Sequence, residues 1–219
     1  MNQYYLLRKK NKMSIQDKIK IIQERIENNS VTHKKQISIS EDNMTTEELY
    51  KYWGVDFRIR NTKRLTEEQK EIGKYAEKGF GIELGCGKKK SHSNAIGIDL
   101  HHDSVAEIKA DCRDLWMFED SELDFVINSH TLEHLPDTIS VLKEWVRVLK
   151  VGGILAIAVP DGELKPKYIL RNGHKVNLGL KTLSLILHGM MRMKILVSKH
   201  VEKNSASKIV ALIVAMKTK

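Results

Sequence analysis

The segment Gly81-Ile82-Glu83-Leu84-Gly85-Cys86-Gly87 constrains this chain more than any other. A short apolar run ends in an acid and a leucine, and a glycine-rich turn follows at once. Glycine there permits backbone that other residues avoid and lets a ligand approach bare main chain. A lone G-x-G is a weak signal. Here Gly97-Ile98-Asp99-Leu100 follows, so a carboxylate stands at the end of a second apolar run. In open α/β sheets ligands bind at the carboxyl ends of the strands, which brings turn and acid to one place. A carboxylate so placed can accept hydrogen bonds from both ribose hydroxyls of a nucleoside.

The flanking pattern alternates strands and helices. Thr66 before Glu-Glu-Gln starts a helix running to about Glu77. Strands are predicted at Phe80–Leu84, Ala95–Asp99, Val105–Lys109 and Asp124–Asn128. A helix follows over Asp137–Lys150, capped by Asp137, with Leu142, Trp145 and Leu149 on one face. Gly152-Gly153 ends it, and Ile154–Val159 is a buried strand. Leu178–Met190 reads as an apolar helix. Met193–Lys199 and Lys208–Lys217 read as strands, and the short connection through 203–207 suits an antiparallel pair. Strands alternating with helices predict a parallel sheet with helices on its faces, spanning 66–219.

Residues 1–65 are polar and read as an accessory helical arm. Ile15, Ile19, Ile22 and Ile26 recur at helical spacing, with Ser14 and Asp17 set as a capping box. A loose stretch near 29–44 and a short helix after Thr45 and Thr46 follow. The arm either closes as a lid, takes a partner, or packs on the main domain.

Composition narrows the class. At 219 residues, 41% hydrophobic and 30% charged, the chain can bury a core and is not wholly disordered. The longest apolar stretch, Ile209–Met216, is far short of the roughly 20 residues of a membrane span. The first ten residues have no long apolar run, so no secretory leader is expected. Cys86 and Cys112 are too few for a disulfide framework or a four-cysteine zinc site, which points to a reducing cytoplasm. The net charge of +9 divides into +5 over 1–20, +11 over 164–219 and −7 between them. Basic ends fit an anionic partner such as RNA, a phosphate-bearing substrate or a membrane surface. Dispersed lysines that solubilise an apolar segment fit equally, and aromatics for base stacking are nearly absent there.

Spacing decides which nucleoside. A dinucleotide fingerprint needs a third glycine, where Lys90 stands, and an acid about 20 residues on. Gly85 to Asp99 is fourteen. The ten residues between Leu84 and Ala95 are too few for an ordinary crossover helix, so a pyrophosphate would lack its helix N-terminus. S-adenosylmethionine carries no phosphate, and the spacing favours it over NAD.

The same residues carry a resemblance. Over roughly 79–161 the chain resembles class I S-adenosylmethionine-dependent methyltransferases, in particular the type-11 methyltransferase-domain group. The resemblance rests on Glu83–Gly87, Ile98-Asp99, Ala110-Asp111, the run Asn128–Asp137, Val148–Gly153, and Ile154–Val159 with Pro160-Asp161. It implies a Rossmann-like doubly wound α/β sheet, mostly parallel, with an antiparallel C-terminal hairpin strand. It implies that Glu83, Gly85 and Gly87, with Cys86 between the glycines, flank the methionyl part of the cofactor. Asp99, followed by Leu100, would bind the ribose hydroxyls. Asp111 would meet the adenine amino group, with Cys112 beside it, and Asn128, Ser129 and His130 would border the transferred methyl. The short Gly87–Ala95 connection is similar to predicted methyltransferases of surface-polysaccharide clusters. Lys88-Lys89-Lys90 departs from the family by giving the pocket a cationic edge.

A hydroxyl acceptor needs a general base, and His130, His174 and Asp161 are the candidates beyond the sheet's carboxyl edge. His130 and His134 stand four apart, a spacing open to a metal pair. No Cys or His at ligand spacing completes a site, although Glu133, His101, His102 and Asp103 are near in sequence, so no metal is expected. Glu133 and His134 read as structural groups at the head of the next helix, and both cysteines as packing residues. The leading expectation is O-methylation of a small molecule or glycan. An RNA methyltransferase using the basic termini, and a non-catalytic cofactor-binding scaffold, are the alternatives.

Overall fold

The computed structural model describes residues 13–34, 64–164, 174–202 and 209–219. Helix α1, Ile15–Lys34, starts at the capping box its sequence specifies: Asp17 N–H donates to Ser14 Oγ, and Ser14 N–H donates to Asp17 Oδ2. Its isoleucine stripe lies on the domain. Ile22 is fully buried in the core, and Ile15, Ile19 and Ile26 pack beside it. Arg25 adds a forked pair to Glu122 at 2.7 and 2.9 Å. The readings made for 35–63, including the helix after Thr45 and Thr46, lie outside the described residues.

Helix α2, Glu67–Gly73, also opens on a capping box, between Thr66 and Gln69, and tightens into a 3-10 turn over Lys74–Ala76. Strands β1 (Gly81–Leu84), β2 (Ile96–Ile98), β3 (Leu123–Ser129) and β4 (Leu149–Pro160) follow, with helix α3 (Thr138–Val148) between β3 and β4. Helix α4 (Leu180–Ser184) precedes β5 (Lys194–Glu202) and β6 (Ile209–Met216). The six strands form one sheet in the order β2-β1-β3-β4-β6-β5. β2, β1, β3 and β4 run parallel; β6 is antiparallel to both β4 and β5. The sheet is therefore mostly parallel with an antiparallel hairpin at one edge, as expected. β6 enters between β4 and β5, so the chain's most apolar segment becomes an interior strand, buried from Val210 to Ala215.

Alternation along the strands builds a core on each face. Ile82, Leu84, Val126, Leu155, Ile157, Val159 and Ile213 face α1, α3 and α4; Phe125, Ile127, Ala156, Ala158, Leu212 and Val214 face α2.

Three boundaries differ from the sequence reading. Val105–Lys109 is not a strand: only Ile108 makes a bridge, to Ile98. The segment instead curls over the first turn, with Val105 N–H donating to Gly87 O at 2.7 Å. Helix α3 stops at Val148 rather than at the glycines, because Leu149 is already extended and paired with Leu123. Gly152 and Gly153 lie inside β4, where Gly152 takes φ +83° and donates its N–H to Lys217 O, while Lys217 N–H donates to Gly153 O. The third is Leu178–Met190. Its helix begins at Leu180, capped by the Glu163 carboxylate, and widens into a π-turn over Leu185–Met190.

Candidate active site

Two short strands end side by side and create the first half of the site. Gly85 N–H donates to Ile98 O at 2.8 Å, which ties the β1 turn to the β2 end. Gly85 and Gly87 both take left-handed backbone, φ +66° and +56°, a conformation glycine adopts at no steric cost. A Cβ on Gly85 would overlap Thr131 Oγ1, whereas a Cβ on Gly87 would meet nothing within 4 Å. Gly85 is thus required by packing, and Gly87 lines open space that a ligand can fill.

Asp99 is buried, and both of its oxygens are engaged. Oδ2 accepts from Gly87 N–H at 2.8 Å, and Oδ1 from His101 N–H at 2.8 Å. Each oxygen keeps a second lone pair. Leu100 follows, half-buried. Glu83 lies behind the turn, with Ser91 N–H and Oγ donating to its two oxygens at 2.6 and 2.7 Å. Burial raises its carboxyl to about 7, against the opposing pull of the Ser91 hydrogen bonds. Glu83 therefore organises the 85–91 loop from inside. Cys86 and Cys112 are buried free thiols, and burial, with Asp99 near both, pushes each of them up.

The cationic edge expected from Lys88-Lys89-Lys90 is largely neutralised. Lys90 pairs with Glu107 and donates to Ala95 O, and Lys88 lies 3.5 Å from Asp103. Asp111 is held by the guanidinium of Arg113, at 2.7 and 2.9 Å, and by its backbone N–H. The next carbonyl, of Cys112, accepts from Trp145 Nε1 at 2.7 Å, which anchors this loop on α3.

The second half of the site lies at the end of β3. Asn128 is buried and bridges strand to turn: Nδ2 donates to Leu84 O at 2.8 Å, and Oδ1 accepts from Leu132 N–H. Ser129 Oγ is buried with no hydrogen-bond partner. His130 has φ +58° and its ring lies between two carboxylates, with Nε2 2.9 Å from Glu68 Oε1 and Nδ1 3.4 Å from Glu133 Oε1. His174 comes to the same place because Lys175 and Val176 donate their N–H groups to Glu133 O. Its ring meets the His134 ring edge-on, with centroids 4.8 Å apart. Burial pushes His174 down. Burial acts to raise Glu133, but His130 and His134 beside it hold it below its ordinary value.

Asp161 stands apart from that cluster, just beyond β4. Its side chain is buried, Oδ1 accepts from Leu164 N–H, and Oδ2 lies 2.8 Å from His200 Nε2. Sequence reasoning missed Glu68, which pairs with His130, and His200, which pairs with Asp161; each comes from another element. Nothing in the local sequence marks either.

An open α/β sheet with a glycine turn after β1 and an acid after β2 is the class of fold that takes a nucleoside at its carboxyl edge. Residues 79–157 match the family model described as a methyltransferase domain. No curated protein matches the chain. The N-methyltransferase NodS from Bradyrhizobium japonicum, solved with S-adenosyl-L-homocysteine, is similar with a TM-score of 0.58 at 16% identity, over 79% of this chain and 98% of that one. A possible histamine N-methyltransferase from Thermotoga maritima gives 0.53 at 18%, over 69% and 87%. The [4+2]-cyclase SpnF gives 0.54 at 17%, over 68% and 78%. These likenesses show the fold. Residues 79–157 are thus a methyltransferase domain, the enzyme class whose cofactor is S-adenosylmethionine.

The chain's own residues fit that cofactor. Gly87 leaves space a side chain would fill, and Asp99 presents lone pairs beside it.

Proposed function

We propose that the chain methylates a hydroxyl of a small molecule or glycan. The Asp161–His200 pair carries this reading. A buried carboxylate 2.8 Å from Nε2 orients an imidazole whose side chain is 38% exposed. That arrangement turns the other ring nitrogen toward a proton donor from outside. A hydroxyl is a poor nucleophile until its proton is taken, and His200 is the group to take it. Asp161 acts through His200 rather than on the acceptor. His130 and His174 are assigned to the acceptor end of the site.

S-adenosylmethionine supplies a methyl group already activated on a sulfonium. The chain's share is alignment, which contributes several powers of ten. Gly85 and Gly87 would line the methionyl part, with Glu83 and Cys86 fixing the turn from behind. Asp99 and Leu100 would hold the ribose, Asp111 and Cys112 would border the adenine edge, and Asn128, Ser129 and His130 the methyl end. The polypeptide works in the cytoplasm on a precursor of a surface polysaccharide; two unbridged cysteines and the short Gly87–Ala95 connection support that setting.

The test is S-adenosylhomocysteine release from the full chain with S-adenosylmethionine and a panel of sugars, glycans, small alcohols and phenols, with RNA alongside. Turnover on a hydroxyl acceptor is expected to fall by about 10²- to 10⁴-fold in His200→Ala, with cofactor affinity retained. Turnover on RNA alone, or turnover indifferent to His200→Ala, overturns the reading.

A further inference from the structure

Glu133 is the least explained charged group in the molecule. It sits in the 3-10 turn Leu132–His134, its side chain is 2% exposed, and neither carboxylate oxygen has a hydrogen-bond partner. His130 Nδ1 at 3.4 Å and His134 Nε2 at 4.0 Å are the imidazole nitrogens beside it. A buried carboxylate with no close donor is costly unless something else meets its lone pairs. The fold brings two imidazoles to it. His134 is the next residue, and His174 is carried in by the main-chain bonds from Lys175 and Val176 to Glu133 O. One ligand atom from each of Glu133, His134 and His174 lies within 4.8 Å of the other two.

We infer that Glu133, His134 and His174 form a binding site for a divalent transition-metal cation. Donors on a tetrahedral ion with bonds of about 2.1 Å stand about 3.4 Å apart, so side-chain adjustment of about 1 Å closes the triad. Two imidazoles with one carboxylate form a borderline donor set. It selects ions of the zinc, cobalt and manganese class over magnesium or calcium, which take oxygen ligands. Three protein ligands leave a coordination position for water or for an oxygen of the acceptor. That last role rests on the function proposed above; the metal site itself does not. Sequence spacing missed the site because its third ligand comes from a distant loop.

The experiment is optical titration of chelator-treated, desalted full-length protein with Co²⁺. His134→Ala, His174→Ala and Glu133→Gln run alongside, with Zn²⁺ as competitor and S-adenosylhomocysteine affinity measured on each preparation. One equivalent of Co²⁺ should bind with the intense visible bands of a low-coordinate nitrogen and oxygen site and be displaced by Zn²⁺. Each variant should lose at least about tenfold in Co²⁺ affinity. His174→Ala is the safest variant, because the backbone of its loop, not its ring, makes the hydrogen bonds to the turn. A cobalt spectrum like that of the aquo ion overturns the inference. So does one-equivalent binding unchanged in all three variants, which would place the ion elsewhere, such as at the stacked His101–His102 pair. Normal S-adenosylhomocysteine binding with no cobalt site sinks the metal alone, while a cobalt site without hydroxyl methylation sinks the acceptor reading alone.

Discussion

The main-chain N–H of Gly87 donates to the Asp99 carboxylate at 2.8 Å. The turn after β1 and the acid after β2 are therefore one hydrogen-bonded unit. Asp99→Ala should weaken S-adenosylhomocysteine binding by about 10- to 100-fold, the worth of a charge-assisted hydrogen bond. Asp99→Asn, which keeps one acceptor oxygen, should lose less. Calorimetric titration with NAD as control reads both. Equal affinity in wild type and Asp99→Ala would remove Asp99 from the cofactor site.

Gly85 and Gly87 should fail differently. Both carry left-handed backbone, which costs an alanine about 1 to 2 kcal/mol. At Gly85 the new methyl also overlaps Thr131, adding about 1 to 3 kcal/mol of overpacking. Gly85→Ala should therefore lower Tm by about 10 °C and Gly87→Ala by about 4 °C. Gly87→Ala should nonetheless weaken S-adenosylhomocysteine binding, because its methyl enters the space left for ligand. Thermal melts with and without S-adenosylhomocysteine separate the two; equal melting points would contradict the assigned packing.

Much of this half-site was legible in sequence because it is local. Gly85, Gly87 and Asp99 are fourteen residues apart or fewer, and their backbone demands leave a residue-type signature. Capping boxes at Ser14 and Thr66, and the Asp137 cap, were readable for the same reason. The side-chain pairs at the ends of β3 and β4 were not. Glu68 reaches His130 from 62 residues away, and His200 reaches Asp161 from 39. Only the order β4-β6-β5 brings His200 near. Val105–Lys109 has a strand's composition but makes a single bridge beside β2 while Val105 N–H turns to Gly87 O, and α4 widens to a π-turn that apolar periodicity does not encode.

Glu83 makes a pH prediction of definite sign. Its carboxyl is raised from 4.5 to about 7 by burial. Between those values the folded state holds a proton that the unfolded chain has released. The stabilisation is complete below the unfolded value and is lost as pH rises through about 7. Its loss amounts to about 3 kcal/mol. Glu83→Gln, which resembles the protonated acid, should gain stability relative to wild type on going from about pH 5 to about pH 8. Denaturant melts at the two pH values measure it. Parallel stability profiles would show that Glu83 ionises as an ordinary carboxylate.

The two thiols test how tightly the turn is closed. Cys86 lies between the glycines and Cys112 under Trp145, and burial raises both above the ordinary thiol range. A thiol reacts as its thiolate, so at about pH 8 neither should label with a disulfide reagent in the folded protein, and both should label in denaturant. Labelling of Cys86 then proceeds only through opening of the 85–87 turn. A ligand that fills the turn stabilises the closed form by mass action. S-adenosylhomocysteine should accordingly slow the residual labelling of Cys86 further, and Asp99→Ala should speed it by releasing the Gly87 hydrogen bond. Rapid native-state labelling of Cys86, indifferent to ligand, would mean that the turn is open in solution and that Asp99 does not hold it.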